Sequence, residues 1–521
     1  MCACCACTPR AHNPSTFTHT TQGPGTPASR YDTAVPNGSA LLDDRAHTIE
    51  QAIANASKRR GARLAGDPRL LRLASWVAEH LAPDGTLPIQ AALDQAARHL
   101  GLTEPTPHVV VIASNDPTDV GPRLGDDIHS LLAEHDYSHY GGVAIERDGL
   151  SVYVVALVFR FLELEPVPRA LPAGATIQLS GRLTHGFASP ELAVTRPDGQ
   201  VMRGAPNSGS AFEFHVPAGT RGIYRVEILG ESALGIAVVA NFPVYVGEPP
   251  KDSIDLGSVE APVRDAREAA HRLLAMINGE RERAQLAPLA LDGELSNVAA
   301  AHVTDMLEHG FVGHTSPTTG TASQRVERAG IRTSLVLENI GRGYSLGEVH
   351  AGLMESPGHR GNLLHPQATH TGIAVAVQNE GGHNVYLVTQ LFIRVTPKLS
   401  GDALPALLAA INAARDEAGR RPLQNDAYLS GVAARAAERC FAGSTPGDAA
   451  VMQSVRSDLQ HQHNHSQGVS ALLSFASSLS DLAQIDALLD ANAQRIGLGL
   501  VQGERPDTPP NTLCAVFLLS P

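Results

Sequence analysis

The chain is poor in aromatic side chains, with one Trp, nine Tyr and twelve Phe in 521 residues. It also lacks a long apolar run. The longest, Val152 to Phe159, falls far short of the roughly 18 residues a membrane-spanning helix requires. Positive charge is in the minority: 40 Lys and Arg stand against 53 Asp and Glu, a formal net charge of −13. Such a balance is a poor electrostatic match for nucleic acid or for an anionic membrane surface. Cysteine is nearly absent after the first seven residues, where Cys2, Cys4, Cys5 and Cys7 cluster; only Cys440 and Cys514 follow. The cluster lacks the two separated pairs of a structural zinc site. Cys440 and Cys514 are open to two readings, a disulfide in an oxidising compartment or two buried thiols. The whole chain is 43% hydrophobic and 18% charged, enough for ordinary cores, and the length suggests about three to five domains.

Residues 1–58 read as a Cys-rich start and a disordered tether, because Thr8 to Ser57 is rich in Thr, Pro, Gly, Ser and Asn and poor in large apolar residues. No apolar stretch precedes the cysteines, as a conventional signal peptide would need. A Cys-rich start ahead of a tether is expected of a bacterial lipoprotein whose true start lies upstream. Residues 59–168 read as an α/β domain. Leu70, Leu73, Ala74, Val77 and Leu81 recur at helical spacing, a second helix runs from about Pro88, and a strand covers His108–Ala113. A short helix near Ile128–Glu134 follows, then a hairpin around Arg147-Asp148-Gly149. Between 170 and 248 the period becomes two, in short runs such as Thr176–Leu183 and Tyr224–Leu229 set off by Pro and Gly, which reads as a β-sandwich. There Gly222 to Ile228 resembles a late strand of immunoglobulin-like domains.

The rest of the chain repeats itself. Residues 272–306 and 406–440 align without a gap at an offset of 134, pairing Ile277 with Ile411, Asn278 with Asn412, Arg281 with Arg415, Asp292 with Asp426 and Leu295 with Leu429. Two domains of one fold are therefore expected in tandem, at 266–398 and 400–521. The hairpin Gly142–Phe159 has a cadence like that of the ends of both copies, so 59–168 is a candidate third, diverged copy.

Between these ends the first copy carries Gly313-His314-Thr315-Ser316-Pro317, then Leu337-Glu338-Asn339-Ile340, then Ser356-Pro357-Gly358-His359-Arg360-Gly361-Asn362-Leu363-Leu364. At these residues the sequence resembles the CAP superfamily of cysteine-rich secretory, antigen 5 and pathogenesis-related 1 proteins. The resemblance implies an α+β fold, an α-β-α sandwich about an antiparallel sheet, with a cleft lined by two histidines and two acidic residues. Carried over, the histidines are His314 and His359 and one acid is Glu338. The second acidic position falls on Ser356, with Glu355 one residue earlier, and the family's usual Trp is Leu353 here.

Residue chemistry groups the same side chains. Two imidazoles and a carboxylate are ordinary ligands of Zn²⁺ or another divalent metal, and the set also suits proton transfer near neutral pH. The alternative is a polar cluster that caps turns. No Gly-x-Ser-x-Gly surrounds Ser316, so a serine nucleophile is weakly supported. His302, on a helix among apolar residues, reads as a core or rim residue. The second copy has lost all three motifs; Ala436 stands where His302 does and Cys440 where Met306 does, and the alternating His461, His463 and His465 lie in a polar stretch. The leading expectation is a secreted or envelope-anchored binding protein whose 266–398 cleft, through His314, Glu338, Glu355, Ser356 and His359, engages a small apolar ligand, a divalent metal or a surface partner. The rivals are a metal-assisted peptidase-like hydrolase using His314, Glu338 and His359, and a purely architectural surface protein.

Overall fold

The computed structural model describes residues 20–521 apart from 42–46, 62, 83–84, 86, 106, 135–136, 205–206, 234, 257–262, 381–382, 443–447 and 461–467. Cys2, Cys4, Cys5 and Cys7, and His461, His463 and His465, lie outside the described residues. The chain forms two compact units, one of 1–325 with 338–366 and 372–391, the other of 326–337 with 367–371 and 392–521.

The first unit opens with β1 (Thr20–Gln22), β2 (Arg30–Tyr31), α1 (His47–Arg60), β3 (Ala65–Gly66), α2 (Pro68–His80), α3 (Gln90–His99), β4 (His108–Ser114), α4 (Pro117–Glu134), β5 (His139–Arg147) and β6 (Leu150–Val158). Strand β6 is apolar on both faces because it is buried on both. Val152, Val154, Ala156 and Val158 pack with α2 and α3, while Tyr153, Val155 and Leu157 pack with α1 and α4. The expected tether is thus folded from Thr20 onward, where described. Its few apolar residues are spaced for use: Ile49, Ala52, Ile53 and Ala56 form one buried stripe of α1, and Tyr31 is fully buried, with its hydroxyl donating to the Pro243 carbonyl at 2.7 Å. Helix α4 is also longer than expected, because Asp116 accepts from the Thr118 N–H at 2.9 Å and Pro117 stands in the first turn, where proline costs nothing.

Strands β7 (Leu162–Leu164), β8 (Val167–Pro168), β9 (Ala170–Leu171), β10 (Ala175–Leu183), β11 (Ala188–Thr195), β12 (Val201–Arg203), β13 (Ala211–Ala218), β14 (Gly222–Ser232), β15 (Gly235–Val246) and β16 (Ser253–Asp255) follow. Two sheets, ordered β13-β10-β7 and β12-β11-β14-β15-β9, enclose one core that includes Ile177, Phe212, Tyr224 and Phe242. The boundary falls earlier than the sequence suggested, since β7 pairs with β10.

Next come α5 (Ala266–Arg283), β17 (Ala290–Leu291), α6 (Gly293–His309), α7 (Ala322–Arg328), β18 (Val336–Gly343), α8 (Leu346–Glu355), α9 (Pro357–Leu363), β19 (His370–Glu380) and β20 (His383–Ile393). The second unit continues with α10 (Leu404–Glu417), β21 (Gln424–Asn425), α11 (Ala427–Ala437), α12 (Asp448–Gln460), β22 (Ser470–Ala476), α13 (Leu479–Ala483), β23 (Arg495–Gly503) and β24 (Thr512–Ser520). Alternate residues of β24 face opposite cores, Phe517 and Leu519 one, Val516 and Leu518 the other, which makes the three layers helix, sheet, helix.

The offset of 134 is visible in the bonds. Asn278 exchanges hydrogen bonds with the Leu289 backbone at 3.0 and 2.8 Å, and Asn412 does the same with Leu423 at 3.1 and 2.7 Å. Arg281 and Arg415 are both fully buried and each donates only to carbonyls among its described bonds: Arg281 to Ala287, Leu363 and His365, Arg415 to Arg421, Leu488 and Asp490. Strand order agrees too: β17-β19-β20-β18 in the first copy, β21-β23-β24-β22 in the second, and β3-β5-β6-β4 in the N-terminal domain. Cys440 and Cys514 are disulfide-bonded across a sequence separation of 74, which resolves the choice the sequence left open.

Candidate functional site

Helix α6 starts on Asp292, whose carboxylate accepts from the Leu295 N–H at 2.8 Å, and ends at Gly310 in the left-handed region (φ 64°). Its inner face carries His302 and Asp305, and both hold the loop that follows. His302 is fully buried and bonds the Gly313 carbonyl through Nε2 at 3.0 Å, so Nε2 carries the proton; burial pushes its pKa down. Asp305 collects the hydroxyls of Ser316, Thr318 (2.7 Å) and Thr319 (3.2 Å). Burial pushes its pKa up, but these donors outweigh that and hold it below the usual range. Ser316 Oγ also accepts from the N–H groups of Thr318 and Thr319 at 3.0 and 2.8 Å. That hydroxyl is a loop fastener with its bonding capacity used.

The loop so built presents His314. Its Nδ1 lies 2.9 Å from Oε1 of Glu338, which is buried on β18. The other oxygen, Oε2, accepts from Arg325 at 2.5 Å, and Arg325 also donates to the carbonyls of His314 (3.2 Å) and Gly320 (2.5 Å). Because Glu338 is acceptor-only when ionised, His314 carries its proton on Nδ1 and turns the Nε2 lone pair outward.

Asn339 beside it donates to the His359 carbonyl at 3.2 Å, and Asn362 donates to the Glu338 carbonyl at 3.1 Å and to Asn339 Oδ1 at 2.9 Å. These amides lock β18 to α9, which begins at its N-cap Ser356. His359, in the first turn of α9, stands with Nδ1 2.7 Å from Ser356 Oγ. Burial, then the neighbouring charges of His314 and Arg203, press its pKa down to about 3. The two imidazole rings sit 6.4 Å apart, centre to centre, tilted by 36°.

The structure therefore brings His314, Glu338, Ser356 and His359 together. Glu355 is paired with Arg225 of β14 and lines the cavity that Ser356 and His359 also line. The structure adds Asp305, Arg325, Asn339 and Asn362, none of which residue type alone marked out. It also adds Glu227 of β14, fully buried, which accepts from Ser356 Oγ at 2.5 Å and from the Gly358 N–H at 2.7 Å. Burial raises its pKa to about 7, against the pull of those two bonds and of Arg203.

Among the described residues no group of three His, Cys, Asp and Glu side chains is placed to hold one metal ion. Glu338, with one oxygen on His314 and the other on Arg325, does not fit the role of ligand. An ion here would have the two imidazoles as its protein ligands, with Glu338 orienting one of them. A cavity of about 820 Å³ borders the site, with Ser356, His359 and Glu227 in its wall beside Ile223, Val349 and Leu353.

The family model for the cysteine-rich secretory protein family matches residues 274–392 and 408–517. The uncharacterized protein YkwD of Bacillus subtilis (strain 168) is 36% identical over 103 residues, 20% of this chain and 40% of its own length. The uncharacterized membrane protein YlbC of the same organism is 32% identical over 105 residues, 20% of this chain and 30% of its own. The chain thus spans well under half the length of these curated relatives. Among solved structures, an outer surface protein from Borrelia burgdorferi has 23% identity and a TM-score of 0.22, covering 25% of this chain and 95% of its own. An extracellular protein containing a SCP domain from Bacillus anthracis has 20% identity and a TM-score of 0.23, covering 45% and 86%.

Proposed function

We propose, from the premise that 274–392 and 408–517 are two domains of the cysteine-rich secretory protein family in tandem, that the protein is an extracellular or envelope-attached binding protein whose first copy captures a small amphipathic molecule. The observation that carries this reading is the cavity of about 820 Å³ that ends on Ser356 and His359. Its volume lies in the range of small-molecule sites, and its wall mixes apolar side chains with a few polar groups, as such sites do. Ile223, Val238, Val349 and Leu353 supply apolar surface, and Arg98, Lys251 and Glu348 supply charge. No helix among the described residues is long and apolar enough to cross a membrane, and the Cys440–Cys514 bond suits an oxidising compartment.

Binding is favoured over hydrolysis because the site's polar groups are tied to one another. Ser316 is consumed by its loop, and Glu338 has one oxygen on His314 and the other on Arg325. The second copy, without the motifs and closed by a disulfide, serves as scaffold. The N-terminal domain, with the same strand order as both copies, is a third, diverged CAP-like copy, and the immunoglobulin-like sandwich is part of the binding wall. A divalent ion held by His314 and His359 is the second reading, favoured by their facing rings.

The test is an equilibrium titration of the full chain with a dansyl-labelled fatty acid. Gly352 lines the cavity, and a Cβ built there meets nothing within 4 Å, so Gly352→Trp fills space without a clash at its root. The variant is expected to weaken binding at least tenfold. Equal binding by both proteins would contradict the reading.

A further inference from the structure

The first copy departs from its family at Ser356, where a carboxylate is expected and a hydroxyl stands. A carboxyl group is present all the same, from another domain. Glu227 projects from β14 of the sandwich, 129 residues earlier in the chain, and its Oε1 accepts from Ser356 Oγ at 2.5 Å. The contact is embedded in a built interface. Helix α9 packs on β11, β12 and β14. Arg203 donates to the Gly358 carbonyl at 3.1 Å, Arg225 pairs with Glu355, and the Gly358 N–H donates to the second oxygen of Glu227 at 2.7 Å. At the other imidazole the turn at Gly235 comes so near that a Cβ there would stand 3.0 Å from Thr315 Oγ1 and 3.4 Å from His314 Cβ.

The direction of these hydrogen bonds has a consequence. The Ser356 hydroxyl has one proton. When it donates that proton to Glu227, its oxygen is left to accept from His359 Nδ1, 2.7 Å away. His359 then carries its proton on Nδ1 and leaves the Nε2 lone pair free. That is the tautomer Glu338 imposes on His314 directly. We infer that Glu227 is the missing second carboxyl group of the cleft, supplied by the sandwich, and that it sets the tautomer of His359 through the Ser356 hydroxyl, so that both imidazoles offer Nε2 as an acceptor to whatever enters. Glu227 is a positioning residue: it acts on the ring through a neighbour. A ligand that meets the pair is expected to present hydrogen-bond donors or a cation to it. The inference concerns the site of the proposed function but needs only the described geometry, so it is tested by a readout independent of ligand binding.

The experiment is histidine side-chain ¹⁵N NMR on the full chain at pH 8.5, with His314 and His359 assigned from His314→Gln and His359→Gln. In the unsubstituted protein both rings show a protonated Nδ1 and a lone pair on Nε2. In Glu227→Gln the amide oxygen takes the Gly358 N–H and the amide NH₂ faces Ser356 Oγ. The serine proton then turns to His359, whose Nδ1 resonance moves to the lone-pair region while His314 is unchanged. Ser356→Ala, which removes the relay without altering the sandwich, is expected to release His359 in the same way, and Glu338→Gln to alter His314 alone. A His359 spectrum identical in the unsubstituted protein and in Glu227→Gln would overturn the inference. Should Glu227→Gln not fold, an unchanged His359 in Ser356→Ala would overturn it equally. Failure to find a ligand would leave it standing.

Discussion

Glu227 of the sandwich and Ser356 of the first CAP copy share a hydrogen bond of 2.5 Å, with the carboxyl group fully buried. A carboxyl group in that position belongs to the cleft as much as to the strand that carries it. It ties the cleft's composition to a domain outside the two segments that the family model matches.

The burial has a pH signature. Glu227 is raised to about 7 in the folded chain, against roughly 4.3 for an unperturbed glutamate. Between these values the folded state binds a proton that the unfolded state has released, so stability falls as pH rises from about 4.5 to 7 and is level above. The contribution is on the order of 3 kcal/mol for such a shift. His359, depressed to about 3, acts oppositely, adding stability that is present above its unfolded pKa and lost as pH falls from about 6.5 to 3. The charges facing the pair are Arg203, Glu191 and His314. Calorimetric melts of the full chain across pH 4 to 8 are expected to show Glu227→Gln gaining stability on the unsubstituted protein as pH rises. Parallel curves would count against the burial argument.

Metal binding separates the roles of the three sequence-selected residues. With Zn²⁺ in isothermal calorimetry, His314→Ala and His359→Ala are each expected to remove any specific heat. Glu338→Gln is expected to weaken binding by about 10–100-fold without abolishing it, as loss of an orienting partner does. Complete loss in Glu338→Gln, matching the histidine variants, would make Glu338 a ligand instead.

The shared fold predicts shared weak points. A Cβ at Gly372 would stand 2.3 Å from the Leu295 carbonyl carbon, and one at Gly497 would stand 2.3 Å from that of Leu429. In the N-terminal domain Gly141 meets Leu71 N at 2.1 Å. Each glycine lets its strand lie directly on the helix start. Alanine at any of the three is expected to cost about 1–3 kcal/mol by overpacking. Gly293→Ala, where nothing stands within 4 Å, is the control, and a Gly372→Ala protein that melts with it would refute the close approach.

The repeat was legible because buried polar groups cannot be exchanged freely. Asn278 and Arg281 hydrogen-bond backbone groups of the segments beside them, and Asn412 and Arg415 do the same 134 residues on. His314, Glu338 and His359 were legible from their motifs. Glu227 was not: it sits in an alternating strand, where a glutamate ordinarily faces water, and here α9 packs on that strand. Tyr31 and α1 were hidden for another reason, since a strap needs only a few well-spaced apolar residues and its composition reads as unfolded. The length of α4 was obscured by Pro122, a residue that usually ends a helix.

The claim that the first copy binds a small amphipathic molecule beside His359 is tested most directly by what the protein carries. Full-length protein and its Gly352→Trp variant, purified in parallel from the native host, would be extracted with organic solvent and compared by mass spectrometry. The account predicts a small molecule in stoichiometric amount in the unsubstituted protein and depleted at least tenfold in the variant. An empty unsubstituted protein, or equal amounts in both, would contradict it.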